Sequence, residues 1–347
     1  MSTVLVTGGY GLAGRDTVQR LVADGHHVVA TAHRNVTGLP DVVESRRVDL
    51  ADAKAVHRLV SEIRPTAIVH LAAVLPPAIY RNPSAGRRVN VDGTAALVKS
   101  AERQDDPPRF IHASSGAIFG SRNPHRMTER LTLTTAPNPS EHYGAQKLEA
   151  ELIVRAAQLP WLVLRLGSVF SVDPAALPFT ADTLYFGAAL PIDGRLHTVD
   201  TRDVAGGIAA AVHTDATDEI LFIGGDDSHL IDQETIFREV SAARGIAGVP
   251  TGRRGDPASD NGWYAVGDWM DVARAQQLLD FQRYTWPQML DELRTNMGWK
   301  YTAARLTAPA VRKVLGRRSP YRGQPGTYAD VWDALRRRFG EARVDAI

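Results

Sequence analysis

The chain has 347 residues, of which 44% are hydrophobic and 23% charged, with no cysteine and a formal net charge of +1. This length suits roughly two domains, and the lack of cysteine excludes disulfides, thiolate catalysis and cysteine-ligated metals. No apolar run approaches the roughly 20 residues that span a bilayer, and no room for a secretory signal precedes the first strand. We expect a cytoplasmic protein with no membrane span and no metal, because the eleven histidines form no ligand motif.

The first predicted elements are a strand, a glycine-rich turn and a helix. Apolar Val4 to Val6 lead directly into Thr7 to Gly14, which has the pattern G-x-x-G-x-x-G. Without side chains, backbone N–H groups can approach a pyrophosphate at the positive end of the helix. The pattern predicts a dinucleotide site. Its expected contacts are Gly8, Tyr10, Gly11, Leu12 and Gly14.

The end of the second predicted strand bears on which dinucleotide is bound. Val28 to Ala30 begin this strand, and the chain continues through His33 and Arg34. Proteins that bind NAD place an acidic residue here for the adenosine ribose, whereas basic side chains pair with the extra phosphate of NADP. No carboxylate is present at the expected position, so we predict NADP as the favoured cofactor, with NAD possible.

Strands and helices then alternate through the first half of the chain, and another apolar strand follows later. This order predicts an α/β fold: a Rossmann-type doubly wound parallel sheet with a smaller C-terminal substrate-capping region. Such sheets bind ligands at the carboxyl ends of their strands. The predicted helices lie near 56–63, near 89–101 and from Tyr143 onward, and the predicted strands at 67–71, 110–113, 161–166 and 220–223.

We divide the chain into a Rossmann core, a capping region and a basic extension. The core is expected at 1–168 with 196–224 returning to it, and the capping region at 169–195 and 225–299. The extension, 300–347, holds eleven Lys or Arg against four Asp or Glu, a charge of +7. It includes a predicted amphipathic helix, Val331 to Phe339. We favour a helix packed on its own subunit, with a partner or an anionic surface as alternatives; no nucleic-acid motif accompanies the charge.

A second motif, Tyr143 and Lys147, carries the predicted chemistry. A spacing of four residues on a helix places both side chains on one face. A nearby ammonium lowers the pKa of a phenol, and a decrease of about two to three units from near 10 would allow proton exchange with an alcohol or ketone. We therefore predict Tyr143 as the acid/base.

Several further segments occur in a characteristic order between residues 3 and 299. They are Asp49-Leu50, His70 to Ala73, Asn90 to Thr94, Ser114-Ser115, Phe119-Gly120 and Val199 to Ala205. With the glycine turn and Tyr143/Lys147, the chain resembles the extended short-chain dehydrogenase/reductase family of NAD-dependent epimerase/dehydratase type. The resemblance also implies a homodimer joined through the helices that begin near Asn90 and Tyr143.

The resemblance implies roles for individual residues. Ser115 would hydrogen-bond the reacting oxygen, Tyr143 would transfer the proton, and Lys147 would hold the nicotinamide ribose and depress the tyrosine pKa. Asp49 would meet the adenine. Further expected cofactor contacts are Leu50, Leu71, Ala72, Ala73 and Asn90, and the expected substrate contacts are Ser114, as a fallback for Ser115, and Ser168.

The reaction subtype is predicted from departures from the family pattern. Dehydratases carry acidic residues after the active hydroxyl, whereas Ser115 is followed by Gly116 to Ile118. Sugar-nucleotide enzymes usually have an asparagine and a Gly-Pro where this chain has Gly167 to Val172, and Arg195 is the only Lys or Arg in 173–197. We favour an NAD(P)-dependent oxidoreductase that transfers hydride at a secondary alcohol/ketone of low charge. A sugar-nucleotide epimerase and a catalytically silent NAD(P)-binding regulatory protein remain the alternatives.

Overall fold

The computed structural model describes residues 2–34, 36–176, 180–264 and 268–344. Its main feature is a seven-stranded parallel sheet of order β3-β2-β1-β4-β5-β6-β9. The strands are β1 Thr3–Thr7, β2 His27–Ala32, β3 Glu44–Arg47, β4 Ala67–His70, β5 Arg109–Ser115, β6 Trp161–Leu166, β7 Ser168–Phe170, β8 Arg195–Asp200, β9 Glu219–Ile223 and β10 Leu230–Asp232. The predicted Rossmann-type sheet is confirmed, with 220–223 extending it beside β6.

Helices cover both faces of this sheet and form much of the C-terminal half. They are α1 Leu12–Ala23, α2 Ala53–Ile63, α3 Ala78–Arg81, α4 Pro83–Arg87, α5 Gly93–Ala101, α6 His142–Arg155, α7 Ala181–Ala189, α8 Thr201–His213, α9 Gln233–Ala243, α10 Ala273–Leu279, α11 Trp286–Met297, α12 Trp299–Arg317 and α13 Val331–Phe339. None of the described helices is both long enough and apolar enough to cross a bilayer.

The core consists of two apolar layers, one on each face of the sheet. Alternate residues of β1 point to opposite faces: Val4 and Val6 join the layer under α1 and α8, and Leu5 joins the layer under α2, α5 and α6. Both sides of each central strand are therefore buried, which explains why these strands are continuous apolar runs. This packing fixes the carboxyl ends of β1, β4 and β5 along one edge.

A second, three-stranded sheet of order β10-β8-β7 lies outside the Rossmann sheet. The segment 196–224, predicted to return to the core, is divided: β8 pairs in this small sheet, whereas α8 packs on α1 and β9 on β6. Within 225–299, α10 packs against α8 and β9, and Phe281 is buried in the same core layer. Core and capping segments are thus interleaved along the chain.

The helix expected at 89–101 is longer and contains a π-helical turn. It begins with α4, where the Asn82 side chain accepts a hydrogen bond from Ala85 N, and passes through the π turn at Arg88–Asp92 into α5. π turns inserted in helices frequently occur at functional sites. This one contains Asn90, a predicted cofactor contact.

The C-terminal extension contains α12 and α13, and α13 has the bounds predicted from its periodicity. Val331, Leu335 and Phe339 are buried in one apolar cluster with Ile79 and Tyr80. Its basic residues are largely neutralised: Arg336 and Arg337 pair with Asp333, and Arg338 pairs with Asp182 of α7. The described part of α13 is therefore packed on its own chain, as we favoured.

Candidate active site

The glycine turn adopts a conformation that side chains would prevent. Gly8 has φ +72°, and a Cβ there would lie 2.8 Å from the backbone of Ala72. A Cβ on Gly14 would overlap the carbonyl oxygen of Gly8. Gly11 caps α1 with no side-chain hydrogen bond in the described structure, which leaves the N–H groups of the first turn without a side-chain cap. The turn therefore fits a pyrophosphate held by backbone groups.

One cavity of about 1130 Å³ runs from the glycine turn along the carboxyl edge of the sheet. Such a volume is large enough for a dinucleotide with a small substrate. Among the predicted site residues, those that line it are Gly8, Tyr10, Gly11, Leu12, Gly14, His33, Arg34, Asp49, Leu50, Leu71, Ala72, Ala73, Ser114, Ser115, Tyr143, Lys147 and Ser168. The fold thus brings together residues separated by up to 160 positions in the sequence.

Ser115 and Tyr143 meet where β5 ends and α6 begins. Ser115 is the last residue of β5, and its hydroxyl accepts a hydrogen bond from Ala117 N at 3.2 Å. Ser115 and Tyr143 both line the cavity, and the Ser115 hydroxyl lies near enough to the phenol of Tyr143 to affect its pKa. Burial raises the pKa of Tyr143 above its ordinary value, and the Ser115 hydroxyl opposes this increase. The two hydroxyls are placed to contact one substrate oxygen together.

Lys147 lies one turn after Tyr143 and is buried. Its Nζ donates to the carbonyl oxygen of Ala113 at 2.6 Å. Burial lowers the pKa of Lys147 to about 8, against an opposing attraction from Glu151. We expected Lys147 to lower the pKa of Tyr143; that expectation is wrong for this structure, because desolvation of the phenol dominates and the ammonium is engaged by Ala113.

Glu141, which was not among the predicted site residues, caps the helix that carries Tyr143 and Lys147. Its fully buried carboxylate accepts hydrogen bonds from Tyr143 N and Gly144 N, and from the Tyr80 hydroxyl at 3.0 Å. Tyr80 is also hydrogen-bonded to Tyr264, which lines the cavity. Burial raises the pKa of Glu141 to about 7. Glutamate is not among the usual N-cap residues, so this role could not be recognised from residue type and position alone.

The C-terminal extension lies against the start of the same helix. His142 N donates to Ala342 O at 3.0 Å, and Val344 N donates to Ser140 O at 3.2 Å, as in a short antiparallel bridge. A Cβ at Gly340 would lie 2.7 Å from Tyr80 O, so the chain passes close to that residue as well. The extension therefore contributes to the positioning of α6.

The end of the cavity beside β2 is polar and exposed. His33 and Arg34 follow β2 and are both exposed, and His33 Nδ1 lies 3.7 Å from Asp49 Oδ1. The same Asp49 oxygen accepts a hydrogen bond from Ala51 N at 2.9 Å. Tyr10 is hydrogen-bonded through its hydroxyl to Ser45 of β3. Positive charge thus lies at the end of β2, with one carboxylate beside it.

Asn90 does not line the cavity itself but holds a residue that does. Asn90 Oδ1 accepts from Val74 N at 2.7 Å, and its Nδ2 donates to Val74 O and to Gln146 Oε1, each at 3.1 Å. Its amide therefore holds the backbone of Val74, which lines the cavity. The structure thus connects Asn90 to the cavity through Val74.

The two predicted substrate serines differ in their surroundings. The Ser114 hydroxyl donates to Glu151 at 2.9 Å, and Glu151 forms a buried ion pair with Arg165 at 2.6 Å. The buried Ser168 hydroxyl has no hydrogen-bond partner among the described residues. The Ser114 hydroxyl is thus engaged by Glu151, whereas the Ser115 hydroxyl lies beside Tyr143.

Beyond Tyr143 the cavity becomes a mostly apolar compartment. Its wall includes Leu184, Phe186, Phe237, Val240 and Tyr264. These residues come from α7, α9 and a loop, and nothing in their spacing pointed to the cavity. Arg244 also lines it, and burial lowers the pKa of its guanidinium below the ordinary value.

Arg195, the basic residue singled out in 173–197, is engaged elsewhere. It pairs with Asp268 at 2.8 Å and donates to Thr128 O at 2.9 Å. Among the described residues, no group of three or more histidine or acidic side chains could hold a metal ion.

The parallel sheet, the glycine turn and the Ser115, Tyr143 and Lys147 set define a protein of the extended short-chain dehydrogenase/reductase type. The pattern of the NAD dependent epimerase/dehydratase family matches residues 4–183. The chain belongs to the NAD-dependent epimerase/dehydratase family.

Relatives with similar sequences carry names that denote different activities. The chain is 31% identical to methionine adenosyltransferase 2 subunit beta of Bos taurus over 188 residues, 53% of each chain. It is 29% identical to dTDP-glucose 4,6-dehydratase 1 of Escherichia coli over 225 residues, 55% of this chain and 62% of that one. The chain thus spans about half the length of the first of these relatives, and less than two thirds of the second.

A solved structure shares the fold over most of the chain. The UDP-glucose 4-epimerase of Thermus thermophilus, in complex with NAD, has a TM-score of 0.68 at 22% identity. The match covers 85% of this chain and 98% of that chain. It establishes a common fold that continues beyond the residues matched by the family pattern.

Proposed function

We propose that this protein is an NAD(P)-dependent oxidoreductase that acts on a secondary alcohol/ketone pair. The observation that carries the proposal is the placement of the Tyr143 and Ser115 hydroxyls together in the wall of the cavity that begins at the glycine turn. A nicotinamide dinucleotide, when bound, supplies the hydride chemistry. The protein supplies position and proton control.

In the reducing direction Tyr143 gives its phenol proton to the substrate oxygen. Burial keeps this phenol protonated at neutral pH, which suits proton donation. Ser115 stabilises the same oxygen: its hydroxyl oxygen already accepts from Ala117 N, so its own proton is free to be donated. Lys147, whose pKa is lowered to about 8, is assigned to the nicotinamide ribose.

The first test compares turnover of Tyr143→Phe, Ser115→Ala and Ser114→Ala. We expect Tyr143→Phe and Ser115→Ala each to lose about 100-fold or more in kcat, as for a positioned acid or hydrogen-bond donor. Ser114→Ala should lose far less, because its hydroxyl is committed to Glu151. If Ser114→Ala were as impaired as Ser115→Ala, the assignment of Ser115 would be wrong.

NADP is the proposed cofactor, with NAD as the alternative. The support is the exposed His33 and Arg34 at the end of β2, where an NAD-specific chain would place a carboxylate. Titration with NADPH and NADH, followed by fluorescence, should show NADPH preference that Arg34→Ala reduces. Arg20→Ala, on the exposed side of α1, is the matched control and should change neither affinity. Equal affinities, or a preference for NADH, would reject NADP.

The substrate is proposed to be a weakly charged small molecule. The support is the apolar wall formed by Leu184, Phe186, Phe237 and Val240. Arg244 gives the compartment one site at which a single polar or anionic group could bind. A panel of aliphatic and aromatic ketones, compared with sugar nucleotides, tests this by kcat/KM.

A sugar-nucleotide epimerase is the second candidate, because a solved UDP-glucose 4-epimerase shares the fold over most of both chains. The two activities differ in cofactor use. A reductase consumes NAD(P)H in proportion to product, whereas an epimerase leaves its total redox state unchanged. Interconversion of a UDP-sugar without net cofactor consumption would favour the epimerase.

A regulatory protein without turnover is the third candidate. It gains support from similarity to a protein named as a subunit of methionine adenosyltransferase. Preserved biological activity in Tyr143→Phe, with turnover abolished, would favour this role over catalysis.

We also propose a cytoplasmic homodimer joined through α5 and α6. These helices lie side by side, and Leu152 of α6 is half exposed. Sedimentation equilibrium should give twice the monomer mass for the wild type and a smaller mass for Leu152→Arg. Monomer alone at working concentration would reject the dimer.

A further inference from the structure

Helix α12 has two apolar faces, and only one of them is packed. Its inner face, which includes Ala304, Ala308, Val311 and Leu315, packs in one cluster with the segment that follows α9. Its outer face carries Trp299, Leu306 and Val314, which are 78%, 80% and 45% exposed. Leu306 and Trp299 are the two most exposed large apolar side chains among the described residues.

Helical geometry makes the outer residues a continuous stripe. At about 3.6 residues per turn, positions 299, 303, 306, 310 and 314 fall on one side of the helix, roughly 125° around the axis from 304, 308, 311 and 315. Ala303 and Ala310, which complete the stripe, are also exposed. The helix therefore presents an apolar strip about 23 Å long, from Trp299 to Val314, away from the protein.

The charge of this helix is unusual within the chain. Residues 299–318 include six Lys or Arg and no Asp or Glu. Across the described ranges, none of these six forms a salt bridge with a carboxylate, in contrast to Arg336, Arg337 and Arg338 of α13. Lys300 and Lys313 lie on the two sides of the stripe, and Arg317 lies at its end, one turn after Val314. Positive charge that is not neutralised thus borders exposed apolar surface.

We propose that α12 docks in the plane of an anionic phospholipid bilayer, with its outer stripe in the headgroup region. An apolar strip containing tryptophan and bordered by Lys and Arg is the composition of helices that bind at such interfaces. A second copy of the chain fits poorly, because it would bring two sets of six uncompensated cations together. Nucleic acid would engage the cations and leave Leu306 and Val314 without a role.

The docked helix lies next to the substrate compartment. Phe237 of α9 packs against the inner face of α12 and also lines the cavity. Docking would therefore hold the apolar compartment about one helix layer from the bilayer. Binding of α12 to a bilayer depends on the residues of this helix and does not require the proposed reaction.

Vesicle co-sedimentation of the full chain tests the proposal. The probes are vesicles of phosphatidylcholine alone and vesicles containing about one third phosphatidylglycerol. We expect at least about ten-fold stronger partition onto the anionic vesicles, weakened by salt. Leu306→Glu should reduce this partition about ten-fold or more, whereas Val42→Glu, at another highly exposed apolar position, should leave it unchanged.

A charge variant and a spectroscopic readout separate the alternatives. The double variant Lys313→Glu with Arg317→Glu should no longer prefer anionic vesicles. The fluorescence of Trp299, obtained as the difference between the wild type and Trp299→Phe, should shift to shorter wavelength when vesicles are added. No vesicle binding by the wild type, or binding that Leu306→Glu does not weaken, would overturn the proposal. A dimer that forms without lipid and is lost in Leu306→Glu would also overturn it, because the stripe would then bind a second copy of the chain. Tighter binding to RNA than to anionic vesicles would overturn it as well. Thermal unfolding checks that each variant is folded.

Discussion

The Tyr80 hydroxyl donates to Glu141 Oε2 at 3.0 Å in the interior of the protein, and Glu141 lies two residues before Tyr143 in the sequence. This one carboxylate links three parts of the molecule. It caps α6, it binds Tyr80 of the segment before α4, and through Tyr80 it is connected to Tyr264 at the cavity. Its ionisation should therefore affect both stability and the site.

Glu141→Gln should change how stability depends on pH. Burial raises the pKa of Glu141 to about 7, above the value expected for an unfolded chain, so the folded state binds more protons between those two values. Its contribution to stability is then present at low pH and is lost as the pH rises through about 7. We expect the fall in unfolding free energy between about pH 5 and pH 8 to be smaller in the variant than in the wild type.

Urea unfolding at the two pH values measures this difference. Asp52→Asn is the matched control, because Asp52 caps α2 at the exposed surface. Identical pH dependence in the wild type and Glu141→Gln would show that Glu141 does not titrate in this range.

Lys147→Met should abolish turnover yet stabilise the fold. Burial lowers the pKa of Lys147 to about 8, below its unfolded value, so the charged lysine destabilises the native state at any pH below about 8. Methionine fills a similar space without this cost, and Glu151 keeps its ion pair with Arg165. We expect the free energy of unfolding at neutral pH to increase by about 1–3 kcal/mol.

Lys99→Met on the exposed side of α5 is the control for the loss of a lysine and should change stability by less than about 0.5 kcal/mol. Chemical unfolding at neutral pH measures both variants. A less stable Lys147→Met protein would mean that the hydrogen bond to Ala113 outweighs the desolvation of the ammonium.

Gly14→Ala should disrupt the glycine turn, because its Cβ would overlap the carbonyl oxygen of Gly8. We expect cofactor affinity to fall by about ten-fold or more, since the backbone N–H groups would be displaced from the pyrophosphate. Gly206→Ala in α8 is the control: its Cβ would have no neighbour closer than 3.9 Å, and it should stabilise the helix by about 0.5–1 kcal/mol. Fluorescence titration with NADPH and thermal unfolding distinguish the two results.

Leu335→Ala should show that the C-terminal extension is part of the folded unit. Leu335 is fully buried with Tyr80 and Ile79, so its truncation should cost about 2–5 kcal/mol. Leu306→Ala removes the same atoms from an exposed helix position and should change stability by less than about 0.5 kcal/mol. Equal effects on the urea midpoint would contradict the packing of α13 on the core.

The sequence predicted the parts of the fold that depend on continuous burial and on glycine. Val4 to Val6 are recognisable because β1 is a central strand buried on both faces, and Leu221 to Ile223 of the edge strand β9 are buried as well. The edge strand β3 is harder to predict, because Glu44 to Arg47 are polar and partly exposed. The three-residue strands β7 and β10 leave too short a pattern for a period to be recognised.

The candidate site was predictable only where its functional residues lie a few positions apart in the sequence. Tyr143 and Lys147 belong to one helical turn, so their proximity follows from the sequence. The contacts of Glu141 with Tyr80 and of Tyr80 with Tyr264 join residues 61 and 184 positions apart, and no periodicity reports them. The error over the pKa of Tyr143 has the same origin: the degree of burial is a property of the whole fold.

The strand order gives the glycine turn a particular place in the folding of the chain. β1 is central, and Gly8 at its end packs against the backbone of Ala72, just beyond β4. The first strand, helix and strand, taken alone, therefore lack one wall of the turn. The pairing of β1 with β4 closes a loop of about 60 residues. Closing this loop costs more chain entropy than forming contacts between residues that are close in the sequence. A dinucleotide that requires this wall would bind only after half the sheet has formed, and would then hold the two strands together.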